Sequence, residues 1–176
     1  MTIKVGDSIP SIEALQESKP GNGVDLKKEI GSGDAVIVGV PAAFSYINHS
    51  KIKDVGKVFV ISVNDPFVYV VVLSIPLSLS SIFPSLPSPF LTNIPSMSAW
   101  GSSLTKQFGD SPIRFLADPA GKFTREIGLE FESAAMLGTN RSKRYAIVVK
   151  GGKVEKVEVE PDNVGAVVSV AEKILG

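Results

Sequence analysis

Two uninterrupted apolar runs, "AVIVGV" at residues 35–40 and "KVFVISV" at residues 57–63, constrain this chain more than any other feature. Each has the length of a strand and the β-branched content of one, and neither alternates with polar residues. Such runs are buried on both faces, so both belong to the interior of a parallel or mixed sheet. The polar, helix-compatible residues 48–55 between them make a β-α-β unit with a right-handed crossover. The linker helix between Ser45 and Val55 is too short for the crossover of a dozen or more residues that a parallel pair needs, and the mismatch is an anomaly to be explained.

The rest of the chain extends this unit. Residues 26–30 read as a short helix. "PIRFLADPAGKF" is a strand ending in a turn, and "KFTREIGL" a short helix closed by Gly128. "KRYAIVVK" and "KVEKVEVE" flank Gly151-Gly152, a pair that accepts positive φ at both central positions of a two-residue hairpin, and the second strand alternates as a half-exposed strand does. "VGAVVSVAEKIL", residues 164–175, predicts a terminal amphipathic helix. A β-α-β half followed by a β-β-α half around a central mixed sheet is an α/β, thioredoxin-like plan, and 176 residues suit one such domain.

Residues 69–96 do not fit the plan. They carry no charge, yet Pro76, Pro84, Pro87, Pro89 and Pro95 leave no uninterrupted apolar run of the ~20 residues that a spanning helix needs. A membrane span is therefore disfavoured. A structureless apolar loop of this length is also uncommon in a compact domain. The flanks point to an insertion: Asp65-Pro66 is an N-cap followed by proline at the first helical position, and residues 97–100 continue that helix once 69–96 are removed. The expected organisation is one domain over residues 1–176, interrupted by a foreign apolar segment.

Composition excludes several chemistries. Eighteen basic residues balance eighteen acidic ones with no basic run, which argues against nucleic acid as a partner. There is no cysteine, so no disulfide, thiolate metal site or thiol nucleophile exists in this chain. His49 is the one histidine; without nearby carboxylates as co-ligands it reads as a solvated helix residue and not as a metal ligand. Neither end reads as a targeting signal, which puts the protein in the cytosol, with mitochondrial and peroxisomal destinations left open.

The words "KVGDSIP", "GVPAAFS", "SVNDPFV" joined to "MSAWG", "FLADPAGKFTREIGL", "RSKRYAIVV" and "VEPDN", in this order and spacing, resemble the type II, peroxiredoxin-five-like thiol peroxidases over nearly the whole chain outside residues 69–96. The resemblance implies a thioredoxin-like redoxin domain that reduces hydrogen peroxide and alkyl hydroperoxides through a cysteine sulfenic acid, in antioxidant defence and redox homeostasis. Glutaredoxin with glutathione, or thioredoxin, would be the reductant. It implies no cofactor and a homodimer, while the composition already argues against a metal, nucleic acid or a membrane as partner.

In that family a Pro-x-x-x-(Thr/Ser)-x-x-Cys loop and a distant arginine form the site. Pro41 and Ser45 match the proline and hydroxyl, Arg144 matches the arginine, and Asn48 stands where the cysteine should be. The resemblance gives each a role: Pro41 shields the site, Ser45 donates to the peroxide and Arg144 stabilises a thiolate, whereas the amide of Asn48 can do none of the nucleophile's work. Without the resemblance, Pro41 reads as the end of a strand and Ser45 as a helix cap. The register of the second, resolving cysteine of disulfide-forming members falls on Val168, which implies a one-cysteine parent. A piece on the order of ten residues, about three helical turns, is expected to be missing after Ser45. One coding-level cause, a skipped exon piece and a translated intron, accounts for both the loss and the insertion. Three readings follow: an enzyme-family member lacking its nucleophile, a non-enzymatic interaction variant of an active sibling, or, least favoured, a membrane-tethered form using residues 69–96.

Overall fold

The computed structural model describes residues 1–42, 56–64, 97, 101 and 113–174. The two apolar runs become β3 (Ala35–Val40) and β4 (Val58–Ser62), parallel neighbours in the register Val36↔Val58 to Val40↔Ser62. The parallel pair therefore forms across residues 41–57 as they stand. Residues 41–57 taken as a whole exceed the dozen residues that a parallel connection needs, which corrects the expectation that the connection is too short. The predicted helix at residues 48–55 lies outside the described residues, as do the Asp65 cap and residues 69–96.

Around this pair a seven-stranded mixed sheet is built from β1 (Leu15–Glu17), β2 (Gly23–Val24), β5 (Ile113–Ala117), β8 (Tyr145–Lys150) and β9 (Lys153–Val159), in the order β2-β1-β5-β4-β3-β8-β9. β5 is parallel to β4, whereas β8 runs antiparallel to β3 and to β9. The β8–β9 turn is the predicted one, with Gly151 at φ 55° and Gly152 at φ 75°. β6 (Glu130–Phe131) and β7 (Arg141–Ser142) make a separate two-stranded sheet.

Alternation along the strands sends side chains into two cores. Ile37, Phe59, Ile61, Leu116, Tyr145 and Ile147 face one side, where α1 (Leu26–Ile30) adds Leu26 and Ile30 and α2 (Lys122–Glu126) adds Phe123. Val40, Val58, Val60, Ile113 and Ala117 face the other, against Met97 and Ala171. Both Met97 and Gly101 are helical, in keeping with the helix expected at residues 97–100. Each fully buried large side chain contributes about 1.5–3 kcal/mol, so the central strands dominate stability.

Local chemistry sets the helices. Asp25 caps α1 by accepting from the Lys28 N–H, and is itself held by the Ser11 hydroxyl at 2.7 Å. Burial would raise the Asp25 carboxyl, but these bonds and the Lys28 charge hold it below the usual range. The turn after β5 is stapled by buried Asp118, whose Oδ2 accepts from the N–H and hydroxyl of Thr124, both at 2.8 Å. Gly128 then closes α2 at φ 69°, as predicted.

The expected terminal helix is a correction. Among the described residues of this stretch, 164–174, only α4 (Ala171–Ile174) is helical, because the residues before it form turns and bends in which the amides of 164, 165 and 167–169 bond carboxylate side chains instead of the preceding carbonyls. A short helix, α3 (Ala134–Leu137), lies between β6 and β7 with none of its residues buried.

Candidate active site

The β3–β8 ladder closes on the pair Gly39↔Tyr145. Pro41 leaves β3 two residues later and Arg144 precedes β8 by one, so the antiparallel register brings both to the same end of the sheet. Pro41 is buried, and proline ends the ladder there because it has no N–H to donate. Ser45, Asn48 and His49 lie outside the described residues, and their relation to Arg144 is carried by the sequence alone.

Arg144 is only 9% exposed. Its N–H donates to the Asn163 carbonyl at 2.7 Å and its side-chain Nε–H to the Val164 carbonyl at 3.0 Å, while its own carbonyl accepts from the Glu160 N–H at 3.0 Å. The segment after β9 therefore wraps both the backbone and the guanidinium of this residue. Burial pulls the Arg144 pKa down, and the negative charges of Glu160 and Asp162 oppose that pull, so the guanidinium is a desolvated cation set among acidic neighbours. A charge in that condition stabilises an anion more strongly than one in water.

Glu160 has no counterpart in the sequence expectations. It is 2% exposed, and its Oε1 accepts from the N–H groups of Val167, Val168 and Ser169 at 2.7, 2.8 and 2.8 Å and from the Ser169 hydroxyl at 2.7 Å. Burial would raise its carboxyl, yet these four donors outweigh burial and hold it below the usual range. The acid is part of "VEPDN", where the strand's alternation would have left it exposed beside Glu158. The proline and aspartate that follow were the visible sign that the chain turns there. Val168 lies in this loop, partly buried, with its N–H on Glu160.

Beside this corner, Arg141 in β7 donates from Nη1 to the Val63 carbonyl at 2.6 Å and from Nη2 to the Leu137 carbonyl at 3.3 Å, tying α3 to the end of β4. Burial lowers its pKa as well. The site thus holds guanidinium cations, oriented by backbone carbonyls, that can stabilise a negative charge, but the chain supplies no thiol to bear one. Among the described residues no group of three His, Asp or Glu side chains is placed to hold a metal ion, and no helix is long and apolar enough to cross a membrane.

Comparison with known proteins gives a consistent picture. The Redoxin family profile matches residues 4–175. The chain is 31% identical, over 98% of its own length and 97% of the other, to peroxisomal membrane associated protein 20 of Schizosaccharomyces pombe. Among solved structures, peroxiredoxin 5 from Alvinella pompejana is similar with a TM-score of 0.64 at 29% identity, with 92% of each chain covered. Reduced Prx3 from Vibrio vulnificus is similar with a TM-score of 0.67 at 25% identity, over 99% of this chain and 97% of that one.

Proposed function

This chain belongs to the redoxin family and is of the peroxiredoxin kind, and from that premise we propose that it is the frame of a thiol peroxidase that has lost its nucleophile. The observation that carries the reading is the convergence of Pro41 and Arg144 at one end of the β3–β8 ladder in a chain without cysteine.

In an active relative of this design, the thiolate attacks the terminal peroxide oxygen, the O–O bond breaks, and the departing oxygen takes a proton to leave as water or an alcohol. The sulfur ends as a sulfenic acid, oxidised by two electrons. Pro41 excludes water beside the reacting pair, Ser45 donates a hydrogen bond to the peroxide, and Arg144 holds the thiolate ionised and stabilises charge as the O–O bond breaks. Here Asn48 occupies the nucleophile's register, and an amide cannot carry the first step. The substrate class of the parent is a hydroperoxide, its reductant glutaredoxin with glutathione or thioredoxin, and its assembly a homodimer; the cytosol is its assigned location. One domain spans residues 1–176, with 69–96 foreign to it.

Hydroperoxide consumption in the presence of glutathione and glutaredoxin, or of thioredoxin and its reductase, tests this. The chain should match a boiled control in both systems. Turnover above that control in either would overturn the proposal.

A further inference from the structure

The loop after β9 is held by two carboxylates of different kinds. Asp162 is exposed, and its Oδ1 accepts from the N–H groups of Val164 and Gly165 at 3.1 and 2.7 Å. Gly165 admits this approach because a Cβ there would lie 2.8 Å from the same oxygen. Glu160 is buried and gathers the next stretch of backbone, residues 167–169, onto a single oxygen. Between the two staples lies the carbonyl of Val164, the acceptor for Arg144 Nε–H.

We propose that Glu160 is a positioning residue for Arg144: by fixing residues 167–169 it anchors the far side of the loop whose Val164 carbonyl orients the guanidinium at the end of the sheet. The contact is indirect for the side chain and direct for the backbone, since the Glu160 N–H donates to the Arg144 carbonyl. Three consecutive amides turned toward one oxygen form a concave anion cradle, and a carboxylate filling it internally makes the loop's conformation depend on that charge. With the charge removed, the amides of residues 167–169 lose their shared acceptor and the loop is free to reorganise. Arg144 then loses the geometry of its Nε–H bond although neither of its atoms has been changed. The charged group that faces Glu160 is the Arg144 guanidinium at the head of β8, which also feels the charge of Asp162 within the loop.

This deepens the reading of Arg144 given above and rests on it for its functional meaning, but it can be tested in the thiol-free chain as it exists. In the ¹⁵N-labelled protein the Arg144 Nε–Hε resonance, assigned by its loss in Arg144→Lys, reports the bond to Val164 through its protection relative to free arginine at the same pH. Glu160→Ala should lower that protection at least tenfold while the amides of Ile37 and Ile147 stay protected. Glu160→Gln keeps an acceptor oxygen of the same reach without the charge, and should give reduced protection that no longer varies with pH. The unsubstituted protein should lose protection on acidification, as Glu160 becomes protonated. If Glu160→Ala does not fold, Glu160→Gln decides alone. Unchanged Arg144 protection and pH profile in a folded variant would refute the positioning role. Equal loss across the central strands in both variants would also refute it, because Glu160 would then be a general stability residue. Because no peroxide chemistry is measured, failure here leaves the peroxidase reading standing, and failure of that reading leaves this result intact.

Discussion

At Gly39 the Tyr145 ring leaves room for a hydrogen and nothing larger: a Cβ at that position would collide with the ring carbons Cε1, Cζ and Cδ1. Tyr145 is fully buried directly across the ladder, so neither partner has space to move. Gly39→Ala should therefore destabilise the fold by about 1–3 kcal/mol, the usual cost of overpacking a core, measured as a lower urea midpoint. A midpoint equal to the parent's would show that the ring can be displaced freely. The Tyr145 hydroxyl presents the opposite case. Both it and Asp118 Oδ1 are buried without a hydrogen-bond partner among the described residues. Burial first, and then the Asp118 charge, raise the phenol above its ordinary value near 10. A group whose folded pKa is raised contributes stability that is complete below its unfolded pKa and is lost as pH rises above it. Tyr145→Phe removes an unpaired polar atom and should leave stability at pH 7 unchanged or up to about 1 kcal/mol higher. It should also flatten the loss of stability above about pH 10. A clear loss at pH 7 in urea titrations would mean that the hydroxyl has a partner in solution.

The elements at both ends of the domain depend on carboxylates that must stay ionised. Asp25 caps α1 and Glu160 gathers the amides of residues 167–169; both have pKa values depressed by these bonds despite burial. A depressed carboxyl contributes stability that is present above its unfolded pKa, about 4, and lost as pH falls through the folded value. Stability should hold from pH 7 to about pH 5 and then fall, and Asp25→Asn combined with Glu160→Gln should be less stable at pH 7 but flatter with acid. An acid limb as steep as the parent's would assign the loss to other groups. Asp25→Ala alone should cost about 0.5–2 kcal/mol, as the loss of an N-cap does. These elements also show what was legible beforehand. β3, β4 and the Gly151-Gly152 hairpin could be read because their patterns are local: continuous β-branched runs, and two glycines at a required positive φ. The helix expected over residues 164–175 was misread because "VGAVVSVAEKIL" has helical periodicity, while the acceptor that takes its amides, Glu160, is supplied from outside that window. β1 and β2 gave no pattern, since strands of three and two residues are shorter than any period. Of the site, Pro41 and Arg144 were legible from their motifs, but the wrapping of Arg144 by a loop some twenty residues away is a tertiary fact.

For the whole molecule, the sheet reports which parts of the chain the fold requires. β4 and β5 are parallel neighbours from Val58↔Ile113 to Ser62↔Ala117, so the entire stretch 63–112 is one crossover. Deleting residues 69–96 leaves more than the dozen residues that a parallel connection needs, and it joins Asp65-Pro66-Phe67-Val68 to Met97, so that the expected cap opens the helix without interruption. Met97 itself is already buried against the valines of β3 and β4. The deletion should leave the far-ultraviolet dichroism of the sheet intact and the urea midpoint equal or higher. A chain that fails to fold without residues 69–96 would show them to be part of the domain. The second repair follows from the first: inserting a family-type Pro-x-Cys helical segment of about ten residues after Ser45 places a thiol at a helix N-terminus, at the sheet end where Arg144 stands. Its pKa should fall below the ~8.5 of free cysteine, which a pH titration of thiolate absorbance would measure, and glutathione- or thioredoxin-dependent peroxide reduction should appear. Arg144→Ala in the repaired chain should cut the rate by about 10²–10³-fold, the typical effect of removing one group that stabilises developing charge. A folded, repaired chain with a titratable thiol and no peroxide turnover would separate the two halves of the assignment, leaving the redoxin fold in place and removing the peroxidase.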